Sequence, residues 1–135
     1  MGTPEMVRLT KEERTPMAHG FDLDERLLAF SVEIVRLTEA LPTTRSGNHV
    51  AAQLLRCGTS PYPNHGEAQA AESARDFVHK FRIGLKELRE TRNWLRLVQG
   101  VPLSETTGDV TRLLQECDEL IRIFAASIRT VEKRL

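Results

Sequence analysis

From Leu23 onward the apolar positions fall into alternating steps of four and three residues, and this rhythm continues almost to the last residue. Leu23, Leu27, Phe30, Ile34, Leu37 and Leu41 follow it first. Such spacing gathers the apolar side chains on one stripe of a helix, so it predicts a helix from about Leu23 to Leu41. Asp22, Asp24 and Glu25 crowd its first turn, where the unpaired backbone N–H groups favour carboxylates. Pro42 ends it, because proline disfavours helical geometry in the residue before it.

The same pattern predicts three further helices. Val50, Leu54 and Cys57 form the seam of a second, starting near Ser46 or Gly47. Pro61 and Pro63 then interrupt it, since neither has an N–H to offer the carbonyls of Cys57 and Thr59. The helix either kinks there or stops and restarts at Ser60-Pro61, with serine as cap and proline at the first helical position. It continues through Glu67 to about Ala71. The third opens on Ser73-Ala74-Arg75-Asp76, a capping-box-like pattern with aspartate in place of the usual glutamate or glutamine. Its seam is Phe77, Phe81, Gly84, Leu88, Thr91, Leu95 and Val98, and Gly100 and Pro102 end it. The fourth, capped by Ser104 or Thr107, carries Val110, Leu114, Cys117, Ile121, Phe124, Ile128, Val131 and Leu135.

No segment alternates with period two between turn signals, so no strand is predicted. Four helices with short connections predict an all-α, antiparallel up-down-up-down four-helix bundle over residues 22–135, with helix two kinked or interrupted at Pro61/Pro63. Residues 1–21 are polar and aperiodic and read as a flexible N-terminal tail. Two extra apolar stripes, Leu28 with Val35 and Leu113 with Leu120, exceed the one seam per helix that a bundle core needs. Extended apolar surface of this kind predicts an interface for self-association.

Composition narrows the function classes. A chain of 135 residues suffices for one core without metal or disulfide staples. It is 40% hydrophobic, 5% aromatic and 28% charged, which suits a soluble helical protein. Its 19 basic and 19 acidic residues cancel, so no global field favours nucleic acid or an acidic membrane, and any such binding must come from local asymmetry. Cys57 and Cys117 lie on predicted apolar faces and read as reduced core thiols; a disulfide framework or zinc site needs more cysteines. No apolar run reaches the ~18 residues of a spanning helix, and no apolar signal-peptide core begins the chain. The expected location is the cytoplasm, with no membrane partner.

Local asymmetry is present on the third helix. Arg75, Arg82, Arg89 and Arg96 recur every seven residues, with His79, Lys86 and Asn93 between them. All project from one helix face. Between Arg75 and Gln99 seven basic residues stand against three acidic ones, Asp76, Glu87 and Glu90. Arginine suits bidentate contact with phosphate, so Arg75, Arg82, Lys86, Arg89 and Arg96 form a candidate nucleic-acid or partner surface. The opposing reading is a solvated face, or one that pairs with an acidic face such as Glu116 and Glu119 of another copy; no aromatic residue interleaves for base stacking.

A polar line, Arg56, Ser60, Asn64 and Glu67, follows the proline-bearing helix, and Glu90 and Trp94 sit four apart on the third. Polar groups near a kink satisfy carbonyls that prolines leave without a donor, so these six are read as a structural network, with a binding or catalytic cluster as the alternative. Catalytic and metal signals are weak. A di-iron bundle needs paired Glu-x-x-His motifs, whereas this chain has one Asp76-x-x-His79. His65-x-Glu67 has a common spacing, and His49 and His65 read as surface or helix-start residues. There is no phosphate loop, nucleophile elbow or Cys-x-x-Cys. No catalytic residue, cofactor or metal is expected, and the chain reads as a non-enzyme.

Several pieces carry a family resemblance. They are LLRCGTS from Leu54 to Ser60, then Asn64, Glu67 and Ala68, then Phe77, and above all LKELRETRNWL from Leu85 to Leu95. In this order and spacing, the segment from Phe21 to Leu97 resembles the four-helix-bundle proteins encoded within intervening sequences of bacterial 23S ribosomal RNA genes. The resemblance implies a compact antiparallel bundle that assembles as a homopentamer, in a family whose biochemical role is largely undefined. It also points to a related branch, the accessory proteins of diversity-generating retroelements, which are strongly basic pentamers that bind a reverse transcriptase and nucleic acid. The zero net charge sets this chain apart from that branch. Pro61 and Pro63 stand where family members often carry small residues. The expected partners are other copies of the chain, then RNA, DNA or a reverse transcriptase; the rival expectation is a structural oligomeric adaptor without nucleic acid.

Overall fold

A computed structural model describes residues 19–101, 103 and 107–135, and every regular element among them is helical. In chain order these are α1 (His19–Ala40), α2 (Arg45–Thr59), α3 (Pro61–Gln69), α4 (Ala74–Gly100) and α5 (Thr107–Glu132). The expected second helix is α2 plus α3. Ser60 between them keeps helical dihedrals, φ −66° and ψ −37°, and its side chain makes no capping bond to α3. The chain therefore bends at Ser60 without leaving helical geometry, and Pro61 occupies the first position of α3, where its missing N–H costs least.

Side chains set the other boundaries. Thr44 caps α2 by accepting from Gly47 N at 3.1 Å, one residue before the expected start at Ser46 or Gly47 would place a cap. Ser73 caps α4 by accepting from Asp76 N at 3.0 Å, with Asp76 in the first turn as the sequence suggests. α1 begins at His19, inside the segment read as a tail; residues 1–18 of that segment, and the cap expected at Ser104, lie outside the described residues. α3 ends at Gln69, two residues short of Ala71.

Cross-helix pairs descend on one helix as they ascend on its neighbour, the order that antiparallel packing produces. Arg82, Arg92 and Gln99 of α4 meet Glu132, Asp118 and Thr111 of α5. His49 and Arg56 of α2 meet Trp94 and Glu87 of α4. Arg26 and Glu33 of α1 meet Glu116 and Arg112 of α5.

All six residues of the α1 seam are buried. Each such side chain contributes roughly 1.5–3 kcal/mol of hydrophobic stabilisation. Phe77, Phe81 and Phe124 stack in series, with centroid separations of 4.5 and 4.7 Å. Glycine permits the close approach of α4 to α5: a Cβ on Gly84 would stand 2.5 Å from the Phe124 ring. On α4 the seam is buried as expected, except that Phe77 is half-buried and Val78 is buried beside it.

The α5 seam differs from its expected register. Leu113 and Leu120 are core residues, 4% and 0% exposed, whereas Leu114, Ile121 and Val131 are half-buried and Leu135 is exposed. α5 packs beside both α4 and α1, so it buries a wide stripe that includes the flank read as surplus. Of the two extra stripes only that on α1 faces outward: Leu28, Val32 and Val35 are 45%, 39% and 40% exposed. No helix among the described residues is long and apolar enough to cross a membrane.

Candidate nucleic-acid interface

The six polar-line residues do not form one network. Arg56 pairs with Glu90 and, at 3.2 Å, with Glu87; Glu90 also accepts from the Trp94 indole N–H at 3.1 Å. These contacts tie α2 to α4. Asn64 stays on its own helix and donates to the Ser60 carbonyl and hydroxyl, each at 3.0 Å. That carbonyl already accepts the Asn64 backbone N–H, so the amide reinforces the bend rather than serving Cys57 or Thr59. Glu67 pairs with Lys80 of α4 at 2.7 Å, a partner the sequence reading did not assign. Glu87, equally unassigned, sits one turn before Thr91 and supplies the second carboxylate for Arg56.

His65 corrects its surface assignment. It is 1% exposed and lies edge-on to Phe81 at 5.9 Å. Its Nε2 is 3.0 Å from Gln69 Nε2, and its Nδ1 is 3.4 Å from Asp24 Oδ1 without hydrogen-bond geometry. Burial holds the imidazole below its ordinary value, against the opposing pull of Asp24. His49 is exposed and lies edge-on to Trp94 at 5.7 Å. Both cysteines are buried free thiols; burial pushes Cys117 up to about 12, and its Sγ donates to the Leu88 carbonyl at 3.3 Å. Among the described residues no three His, Cys, Asp or Glu side chains gather as a metal site.

The basic face of α4 is continuous. Arg75, His79, Arg82, Lys86, Arg89, Asn93 and Arg96 are all exposed along one side of the helix. Arg82 pairs with Glu132 of α5 at the surface, so a carboxylate already engages this member of the row. Among the described residues no carboxylate pairs with Arg75, Lys86, Arg89 or Arg96. A seven-residue repeat also drifts about 20° per heptad on a straight helix, so the stripe turns gradually around α4. Arg82 reaching Glu132 shows the α5 side, and Arg89 lies one repeat further round.

There the stripe meets α5. Arg89, Arg92 and Asn93 of α4 and Asp118, Ile121 and Arg122 of α5 line an open cleft of about 450 Å³. Arg92 donates through Nε to Asp118 at 2.6 Å, and Arg122 donates to Glu119 at 2.7 Å. Three guanidinium groups therefore face one carboxylate in the cleft lining. Sequence reading missed Arg92 and Arg122: Arg92 stands off the seven-residue repeat, and Arg122 belongs to a helix whose rotation was misjudged. The Asp118-x-x-x-Arg122 spacing was the available signal on α5. Glu116 and Glu119, considered as partners for another copy, engage Arg26 and Arg122 within the chain.

A family model described as 23S rRNA-intervening sequence protein matches residues 22–126. A crystal structure from Bacteroides thetaiotaomicron, of a protein with unknown function from the S23 ribosomal protein family, superposes with a TM-score of 0.74 at 30% identity. The alignment covers 82% of this chain and 97% of that one. None of the curated proteins matches. The match over residues 22–126, on a helical bundle whose α2–α4 pairing is made by Arg56, Glu87, Glu90 and Trp94, places the chain in the 23S rRNA-intervening sequence protein family.

Proposed function

We propose that this chain is a non-enzymatic, self-associating scaffold that meets nucleic acid, or an enzyme acting on nucleic acid, through the basic face of α4. The observation that carries this reading is the run of exposed cations Arg75, Lys86, Arg89 and Arg96 with no carboxylate partner among the described residues, in a chain whose formal net charge is zero. Elsewhere cross-helix arginines meet acids: Arg26 meets Glu116, Arg56 meets Glu87 and Glu90, and Arg112 meets Glu33. An unneutralised row of three guanidinium groups and one ammonium is suited to a phosphate backbone. With no aromatic side chain on that face, binding is independent of base sequence.

The test is anisotropy of a labelled single-stranded RNA at low and moderate salt. Affinity falls with salt by a logarithmic slope of about −0.7 per phosphate neutralised. Absence of binding at low salt overturns this reading in favour of a structural homo-oligomeric adaptor. The adaptor reading has its own support in the exposed apolar stripe Leu28, Val32 and Val35 on α1. Self-association belongs to both readings, with a homopentamer as the proposed assembly.

A further inference from the structure

We propose that the α4–α5 cleft lined by Arg89, Arg92, Asn93, Asp118, Ile121 and Arg122 is the seat of a backbone phosphate of single-stranded nucleic acid, and that Asp118 sets its strength. This deepens the reading of the basic face and rests on it. The volume of about 450 Å³ falls within the ~300–1,000 Å³ range of ligand clefts.

The donor arrangement suits a phosphodiester. A guanidinium presents two hydrogen-bonding edges. Asp118 takes the Nε–H of Arg92, which anchors the group and leaves terminal amino groups for a second acceptor. Glu119 takes one terminal amino group of Arg122 from the same helix, leaving further donors there. Arg89 has no carboxylate partner among the described residues, and Asn93 adds a neutral amide donor. Asp118 offsets Arg92 and Glu119 offsets Arg122, so the three cations leave one positive charge, that of Arg89, uncompensated at the cleft. An anion in the cleft compensates it. Ile121 is the one apolar lining residue and no ring lines the cleft, so the group recognised is the phosphate rather than a base.

Asp118 acts in two opposed ways. It positions Arg92, and its charge repels the incoming phosphate. Asp118→Asn keeps an oxygen acceptor for the Arg92 Nε–H and removes the repulsion.

The experiment measures binding of a labelled single-stranded RNA oligonucleotide by the full chain and three variants: Arg89→Gln/Arg122→Gln, Asp118→Asn, and Arg75→Gln/Lys86→Gln outside the cleft. Circular dichroism and melting confirm folding. Loss of the cleft arginines weakens binding at least ~10-fold and reduces the salt slope by about 0.7, the value for one phosphate contact. Asp118→Asn tightens binding about twofold or more, a gain that a merely structural aspartate would not produce. Competition with inorganic phosphate and with polyglutamate separates the sources. If inorganic phosphate binds the wild type and not the cleft variant while RNA binding is equal in both, the cleft is a free-anion site and the nucleic-acid assignment is overturned. If only Arg75→Gln/Lys86→Gln weakens RNA binding, the cleft proposal falls and the basic-face reading stands. If the wild type binds no RNA at low salt, both fall.

Discussion

His65 couples folding to pH. A neutral imidazole buried against Phe81 resists protonation, while the unfolded chain takes up a proton near the ordinary value of 6.5. The unfolded state then binds more protons than the folded state between its own value and the lower folded one, so stability rises with pH through that window. The contribution is fully present above about 6.5 and is lost as pH falls below it. Urea unfolding at pH 7.5 and pH 5 should show lower stability at pH 5, and His65→Gln should flatten the difference; equal pH dependence in both proteins would refute the assignment. Cys57 and Cys117 make a second prediction at this scale. Buried thiols with raised values present little thiolate, so neither should react with a thiol reagent at pH 8 until urea opens the bundle. The sequence identified both cysteines as core residues because they sit on apolar stripes. It misplaced His65 because a lone histidine on a short polar helix has no local signature of burial.

At the scale of elements, helix identity was legible and helix rotation was less so. Apolar periodicity located every helix, and the prolines located the bend, since both act on hydrogen bonds within one turn. The tightest inter-helix contacts were not legible. Gly84 looks like an ordinary seam position, yet it is where the Phe124 ring closes on α4. Gly84→Val should destabilise the protein by about 1–3 kcal/mol through overpacking, read as a lower denaturant midpoint with an unchanged slope. Glu90 joins Arg56 and Trp94 across α2 and α4 at a partly exposed site. Its replacement by alanine should cost about 0.5–1.5 kcal/mol. If Glu90→Ala melts like the wild type but loses a binding partner, the pair is an interaction site and not a tie between helices.

At the scale of the whole molecule the outward stripe Leu28, Val32 and Val35 bears on assembly. Three adjacent turns of α1 expose aliphatic side chains, while the second stripe once counted with them is consumed by the core. An apolar strip on a folded surface gains by being covered. Light scattering of the full chain at micromolar concentration should give about five times the 15.3 kDa of one chain. Leu28→Glu/Val32→Glu should lower the particle mass while leaving helicity intact. A monomeric wild type would end the self-association reading. In a ring the basic faces of several copies act together, so the same double substitution should also weaken RNA binding by avidity loss.

The chain by itself determined what depends on neighbours within a turn or two: the helices, the cap at Ser73, the bend before Pro61, the buried stripe of α1 and the exposed row Arg75, Arg82, Arg89 and Arg96. Periodicity and missing donors act locally, so they can be read along the sequence. Tertiary structure decided what depends on which flank of a helix meets another. It buried Leu113, Leu120 and His65, spent Arg82 on Glu132, and brought Arg92 and Arg122 beside Arg89. A helix with several apolar positions around its circumference can turn more than one face inward. Only packing against specific neighbours selects among those rotations, and that selection determines which of the regularly spaced cations are neutralised and which remain to face a phosphate.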